Sequence, residues 1–300
     1  MRSLDSLIAT IRSALPAMPL LEREPLSAHC SFRIGGPCAA LVQPSTEEEI
    51  LTLTTLLRQA GERPLLIGNG TNLLITDGYV NRIVLQTGAA FHAIQCSGTT
   101  LTALSGASLA RAALTAANAG LAGLEFAHGI PGSLGGAVMM NAGAYGGEMK
   151  DVIASVRYLD ADGRICETAE PEFAYRHSRF ADTGELILGA SVRLTEDDPE
   201  AIHARMIELW KKRSASQPLD RPSAGSTFKR PATGYAAAMI DGAGLKGLTV
   251  GGAQVSEKHA GFVINTGSAS FCDVTALMAK ITDAVQEKYG VTLEPEVRIL

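Results

Sequence analysis

Cysteine is scarce and scattered. The 300 residues hold five, Cys30, Cys38, Cys96, Cys166 and Cys272, never as a CxxC pair and never beside paired histidines, so neither a disulfide framework nor a zinc site is indicated and no metal is expected. Each reads as a small packed hydrophobe, and the pattern favours a reducing, cytoplasmic compartment. Long apolar runs are missing too: nothing approaches the roughly 18 residues of a membrane span. The N-terminal segment places Leu4, Leu7, Ile8, Ile11 and Leu15 at helical spacing, with Asp5 and Arg12 interrupting any apolar run. That is an amphipathic helix, not a signal peptide. Positive charge is not in excess either, and a net charge of −5 argues against nucleic-acid binding through the overall field. Internal repeats and low-complexity tracts are absent. What is left is 46% hydrophobic and 19% charged, a globular chain long enough for two or three domains.

Against these absences stands one excess. Residues 129–147, GIPGSLGGAVMMNAGAYGG, place seven glycines in nineteen positions. Glycine lets backbone approach a ligand or another chain closely, and the apolar Val138-Met139-Met140 inside the stretch is foreign to a flexible linker. The stretch reads as a cradle for something flat or phosphorylated. Pro131-Gly132-Ser133-Leu134-Gly135 lacks the glycine that a nucleophile elbow needs two residues before its serine, and no Gly-Lys-Ser/Thr follows to make a P-loop. A turn into a short helix, with N–H groups available to a ligand, remains.

Periodicity and caps lay out the rest. Residues 31–34 and 39–42 read as strands of a hairpin around Gly35-Gly36-Pro37. Ser45-Thr46-Glu47-Glu48 opens a helix with Ile50, Leu53 and Leu57 on one face and Gly61 as its stop. Strands at 64–67 and 73–75 flank Gly68-Asn69-Gly70-Thr71-Asn72, a turn whose N–H groups form an anion nest or a plain hairpin. A dinucleotide fingerprint of the Rossmann type fails here, because Leu73 stands where its third glycine belongs and a strand follows. Further strands are expected at 82–86, 101–105, 156–159, 185–194, 248–250 and 261–264, and helices at 108–119, 235–240 and 273–289. A boundary falls near Asp198, which caps a helix carrying Ile202, Met206, Leu209 and Trp210 on one face. Residues 173–180, FAYRHSRF, form an aromatic and basic loop. Residues 211–230 hold six Lys/Arg against one Asp, a shaped loop able to neutralise phosphates. Residues 291–300 alternate as a half-buried strand with Glu294, Glu296 and Arg298 on its polar face.

Taken in order, GNGTNLLITD, GIPGSLGGAVMMNAGAYGGE, YRHSRF, QPLDRPSAGSTFKRP, VSEKHAGFVIN and LEPEVRIL closely resemble the UDP-N-acetylenolpyruvoylglucosamine reductase family from about residue 31 to residue 300. The length resembles the short subtype that lacks a tyrosine-bearing loop insert. The resemblance implies an α+β fold, with a vanillyl-alcohol-oxidase-type FAD-binding domain of two subdomains and a smaller C-terminal α+β substrate domain. The boundaries it suggests are 1–80, 81–197 and 198–290, with 291–300 packing back near the active site. It implies FAD as bound cofactor, NADPH and a UDP-sugar as substrates, and reduction of an enolpyruvyl ether for peptidoglycan precursor synthesis. Neither nucleic acid, membrane nor an obligate protein partner is expected.

By the same resemblance, Gly68, Asn69, Gly70, Thr71, Asn72 and Leu73 would hold the FAD pyrophosphate. Pro131, Gly132, Ser133, Gly135, Gly136, Asn141, Gly143 and Tyr145 would line the rest of the cofactor. Arg176 matches the catalytic arginine, Ser226 the proton donor and Glu296 the catalytic glutamate, whose role calls for a raised pKa. Lys229 and Arg230 would bind the UDP phosphates, and Tyr175 would lie near flavin or substrate. No separate NADPH fingerprint is visible, consistent with a shared pocket. His92 and His128 are attachment residues for FAD in principle only, ordinary histidines being the plainer reading. The rival readings are another oxidase or dehydrogenase on the same flavin fold, and a non-enzymatic nucleotide-sugar or flavin-binding module.

Overall fold

The computed structural model describes residues 3–88 and 90–300. The chain divides into two compact units. The first comprises Met1–Arg23, Ala39–Asn69 and Arg82–Lys211, the second Glu24–Cys38, Gly70–Asn81 and Lys212–Leu300.

Two sheets organise the first unit. In the smaller, the strand Leu20–Glu22 runs antiparallel to Cys38–Val42, and Leu65–Ile67 runs parallel to Val80–Gln86. The helix Glu47–Ala60 forms where its signals place it: the Thr46 hydroxyl accepts from the Glu49 N–H at 3.1 Å, and Gly61 ends it at φ 75°. Its Ile50, Leu53 and Leu57 share a core with Leu7, Ile8 and Ile11 of the N-terminal helix Leu4–Ala14. The larger sheet is antiparallel throughout, in the order Ile165–Thr168, Ile153–Leu159, Leu186–Arg193, Thr100–Leu104, Ile94–Ser97. Its core is completed by the alanine-rich face of Leu109–Asn118 and by Ile202 and Met206 of Pro199–Ser216. Small alanines let that helix sit close to the sheet.

The second unit builds a four-stranded antiparallel sheet, Ser223–Ser226, Phe262–Asn265, Ala253–Val255, Thr249–Val250. The helix Phe271–Tyr289 is fixed by a capping box between Ser270 and Asp273 and stops at Gly290, burying Val274, Leu277, Met278, Ile281 and Val285. The earlier segments are sewn in by polar side chains: Asn265 Nδ2 donates to the Phe32 carbonyl at 3.0 Å and the Ser31 hydroxyl to the Ser223 carbonyl at 2.6 Å. Leu73–Leu74 pairs in parallel with Arg298–Ile299.

Four expectations are corrected. Residues 31–34 are not a strand: Arg33 has φ 57° and its N–H turns back to the Cys30 carbonyl, so the strand Cys38–Val42 pairs with Leu20–Glu22 instead. The turn at 68–72 is not a hairpin, because the strands on either side of it pair with different partners, Val80–Gln86 and Arg298–Ile299. The C-terminal segment is a strand only at Arg298–Ile299, with Pro295 in an isolated antiparallel bridge to Phe228. Its alternation fails accordingly: Ile299 is 48% exposed, whereas Glu296 is half-buried. Finally, Trp210 is 50% exposed, so the buried stripe of Pro199–Ser216 ends at Met206.

The start of that helix is tied down electrostatically. Arg205 reaches Glu125 Oε1 at 2.7 Å and Asp197 Oδ2 at 2.6 Å. Burial alone would raise the Glu125 pKa, but its own backbone N–H, Arg205 and the Gly123 N–H outweigh it and hold the group below its ordinary 4.5. A depressed carboxylate contributes stability above its unfolded pKa and loses it as pH falls through the folded one. Glu125→Gln is therefore expected to cost about 1 kcal/mol at neutral pH, with the gap to the parent closing as urea-unfolding series are taken below pH 4.5; a gap independent of pH would contradict this.

Candidate active site

In the first unit the glycine-rich segment is built around one serine. Ser133 is 1% exposed and caps the short helix Leu134–Met139, its hydroxyl accepting from the Gly136 N–H at 3.4 Å. A Cβ at Gly68 would stand 2.4 Å from that hydroxyl oxygen, so the turn approaches the helix start only because it carries glycine there. Among the described residues, the N–H groups of Gly68, Asn69 and Gly70 donate to no protein acceptor, and Gly70 turns the chain at φ 63°. A run of N–H groups without protein partners in a glycine turn suits an anion. The Ser105 hydroxyl, packed behind Gly135, is also buried without a partner.

The glycines of residues 129–147 differ in what stands opposite them. A Cβ at Gly135 would lie 2.8 Å from Ser105 Cβ, at Gly143 2.6 Å from Glu148 Cγ, and at Gly147 2.6 Å from the Phe126 ring. These three are glycine because protein crowds them. Gly136 meets nothing nearer than 3.5 Å and Gly146 faces open space. The strands Gly143–Ala144 and Gly147–Glu148 form a two-residue hairpin with Tyr145 at φ 53° and Gly146 at φ 91° at its tip, the mirror-image turn such loops favour. Tyr145 is 46% exposed there.

Beside it, Ala174 and His177 close another tight hairpin, each donating its N–H to the other's carbonyl. Tyr175 and Arg176 form its tip. Arg176 sits at φ 55°, a left-handed conformation that costs about 1 kcal/mol or more outside glycine. Its Nη2 donates to the Gly143 carbonyl at 3.4 Å, and its guanidinium lies 5.4 Å from the Tyr175 ring centre. The Ser178 hydroxyl, wholly buried, anchors the hairpin to the Met139 carbonyl at 2.9 Å. Asn141, expected with the cofactor-binding residues, is 1% exposed. Its amide is engaged inside the protein, with Glu148, with the Ala174 carbonyl and with the Lys150 N–H.

The second unit gathers Ser226, Lys229, Arg230 and Glu296. Ser226 ends the strand Ser223–Ser226, and the next residue, Thr227, is the joint. Its N–H donates to the Gly261 carbonyl at 2.9 Å, its hydroxyl accepts from the Val263 N–H at 3.0 Å, and its carbonyl accepts from the Glu296 N–H at 2.8 Å. Asn72 holds the same glutamate from the other end, Nδ2 donating to the Glu296 carbonyl at 3.2 Å. The Lys229 ammonium pairs with Glu294 at 3.2 Å. Arg230 stacks 4.2 Å from the centre of the exposed Tyr235 ring. Within VSEKHAGF, the Ser256 hydroxyl accepts from the Lys258 and His259 N–H groups, and the turn delivers the Gly261 carbonyl to Thr227. Burial lowers the His259 pKa. Thr227 and the roles of Asn72 and Asn141 escaped the sequence reading, which has no signal for a side chain serving another segment's backbone. His128, the residue just before Gly129, lines a cavity of about 290 Å³ with Leu114, Met206 and Trp210. Burial lowers its pKa, assisted by His203.

Comparison with known proteins gives this arrangement its family. The family model for the UDP-N-acetylenolpyruvoylglucosamine reductase C-terminal domain matches residues 217–300, and an FAD binding domain model matches residues 37–169. The UDP-N-acetylenolpyruvoylglucosamine reductase of Clostridioides difficile is 46% identical over 279 residues, 92% of each chain. The chain belongs to this reductase family. The Caldanaerobacter subterraneus subsp. tengcongensis member is 44% identical over 99% of this chain and 98% of its own. The crystal structure of the Thermus caldophilus reductase superposes with a TM-score of 0.81 at 36% identity, covering 94% of this chain and 99% of that one. No helix among the described residues is long and apolar enough to cross a membrane.

The Gly68 contact yields a test. Gly68→Ala should push the Ser133 hydroxyl off its cap and weaken FAD retention on the order of tenfold, the equivalent of about 1.4 kcal/mol. Flavin fluorescence released on dilution reads this directly. Retention equal to the parent's would show that the close approach does not shape the cofactor site.

Proposed function

We propose that this chain reduces the enolpyruvyl ether of UDP-N-acetylglucosamine enolpyruvate to UDP-N-acetylmuramic acid, in peptidoglycan precursor synthesis, with FAD as bound cofactor and NADPH as electron donor. The observation that carries the reading is the bond from the Glu296 N–H to the carbonyl of Thr227, the residue next to Ser226, inside a C-terminal domain of the reductase type. The unpartnered N–H groups of Gly68, Asn69 and Gly70 fit the cofactor's pyrophosphate, and the open backbone at Gly136 and Gly146 fits its flat part. When bound, FAD would supply the hydride-transfer chemistry between NADPH and the terminal vinyl carbon of the substrate.

Addition at that carbon drives charge onto the neighbouring carbon and its carboxylate. Arg176 is assigned to that carboxylate, because a guanidinium fork meets two oxygens that are gaining charge. Ser226 is assigned the proton for the carbon. A hydroxyl is a weak acid, so its transfer depends on the surrounding charge stabilisation. Glu296 assists in its acid form, since a carboxylate would repel the enediolate. Lys229 is assigned to the UDP phosphates, with Arg230 beside it on Tyr235.

Purified protein should be yellow, bleached by NADPH without oxygen, and recoloured by the enolpyruvyl substrate. Recolouring by oxygen alone would sink the reading. Ser226→Ala should slow recolouring by roughly 100-fold or more while bleaching stays near the parent's rate; equal losses in both halves would remove Ser226 from the proton-donor role. Glu296→Gln should likewise impair the second half, and near-normal turnover would show that its acid form is not needed.

A further inference from the structure

The strained hairpin that carries Arg176 is bonded at its base by the buried Asn141 amide, beside the Ser178 anchor. We infer that Asn141 is a positioning residue for Arg176, and that its side chain sets the guanidinium rather than contacting the cofactor. The inference rests on the reading of Arg176 as the arginine that meets the substrate carboxylate.

Three observations converge. Asn141 is 1% exposed, and its Nδ2 donates at 2.8 Å to Glu148 Oε2 and at 3.0 Å to the Ala174 carbonyl, while Oδ1 accepts from the Lys150 N–H at 2.9 Å. Both donors and the acceptor are therefore occupied by protein. The Ala174 carbonyl also accepts the His177 N–H at 3.2 Å, so the base of the hairpin is fixed at the atom from which Tyr175 and Arg176 project. Arg176 itself, at φ 55°, occupies a conformation that persists only where its surroundings over-determine it.

The chemistry demanded at position 141 is narrow. The residue has φ 41°, which favours Asn, Asp or Gly. It needs two donors and one acceptor, which Gly lacks altogether. An aspartate lacks the donors and would place a second carboxylate against Glu148. Glu148 is already paired with the Lys150 ammonium at 3.1 Å, so the network begins on the glycine-rich segment and ends at the hairpin. Through it the segment that lines the cofactor site also orients the arginine.

Asn141→Asp keeps the backbone preference and removes the donors. Four readouts are compared in the full-length flavoprotein: FAD content, anaerobic bleaching by NADPH, recolouring by the enolpyruvyl substrate, and hydrogen exchange. Expected are unchanged FAD content, bleaching within about threefold of the parent, recolouring slower on the order of tenfold, and faster exchange in a peptide spanning 172–180 but not in one spanning 186–193. In an Arg176→Ala background the same change should cost less than about twofold, since the two act as one unit. A full loss repeated in that background, loss of FAD, or unchanged exchange in 172–180 would overturn the inference. If Asn141→Asp does not accumulate folded, Asn141→Gly, which tolerates the same backbone, takes its place with the same outcomes. Failure of the functional reading is visible separately, as no substrate-driven recolouring in the parent, and hydrogen exchange then still decides whether Asn141 orders the hairpin.

Discussion

Irregular backbone, once buried, must find partners for its N–H and C=O groups, and this constraint shapes both units. The residues assigned to chemistry sit outside long helices and strands, on a two-residue hairpin, at the last residue of a strand and on the C-terminal segment ahead of Arg298–Ile299. Sheet ladders cannot satisfy such stretches. Polar side chains do so instead, Asn141 and Ser178 for the Arg176 hairpin, Asn72 for Glu296 and Asn265 for Phe32, while the Thr227 backbone carbonyl takes the Glu296 N–H. Each adds a fixed hydrogen bond where strain or a chain break would otherwise leave the backbone loose.

The same constraint separates what was legible in the sequence from what was not. Helices with intact caps and one apolar face, such as Glu47–Ala60 and Phe271–Tyr289, were readable because local signals alone make them. Residues 31–34 were misread for an instructive reason. Phe32 and Ile34 are buried at 2% each, so their alternation is real. The Phe32 carbonyl bonds to a side-chain amide 233 residues away, however, and not to a neighbouring strand. Alternation reports burial and is silent on where the backbone bonds go. The arginine, serine and glutamate assigned to catalysis were singled out through ordered motifs, whereas Thr227 lay inside one of those motifs without any mark of its hydrogen bonds.

Glycine shows a similar division. A glycine-rich stretch suggests a ligand surface, yet Gly135, Gly143 and Gly147 are required by Ser105, Glu148 and Phe126. Composition cannot tell backbone that meets a cofactor from backbone that meets the rest of the protein, because both remove the same Cβ. At Gly146 no protein atom stands opposite, but its φ of 91° at the hairpin tip already calls for glycine, whereas Gly136, with no such φ and nothing nearer than 3.5 Å, leaves room for a ligand.

The discontinuity of the second unit bears on how the chain is made. Phe32 and Ser31 wait for partners 233 and 192 residues downstream. At translation rates of about 5–20 residues per second, that interval lasts roughly 10–50 s. During it, apolar Phe32 and Ile34 have no finished core to enter, and the nascent chain presents them to whatever else is in the compartment. Contacts of such long range also slow spontaneous folding. An enzyme that closes its second unit so late would be most exposed to aggregation and to chaperone capture while still attached to the ribosome.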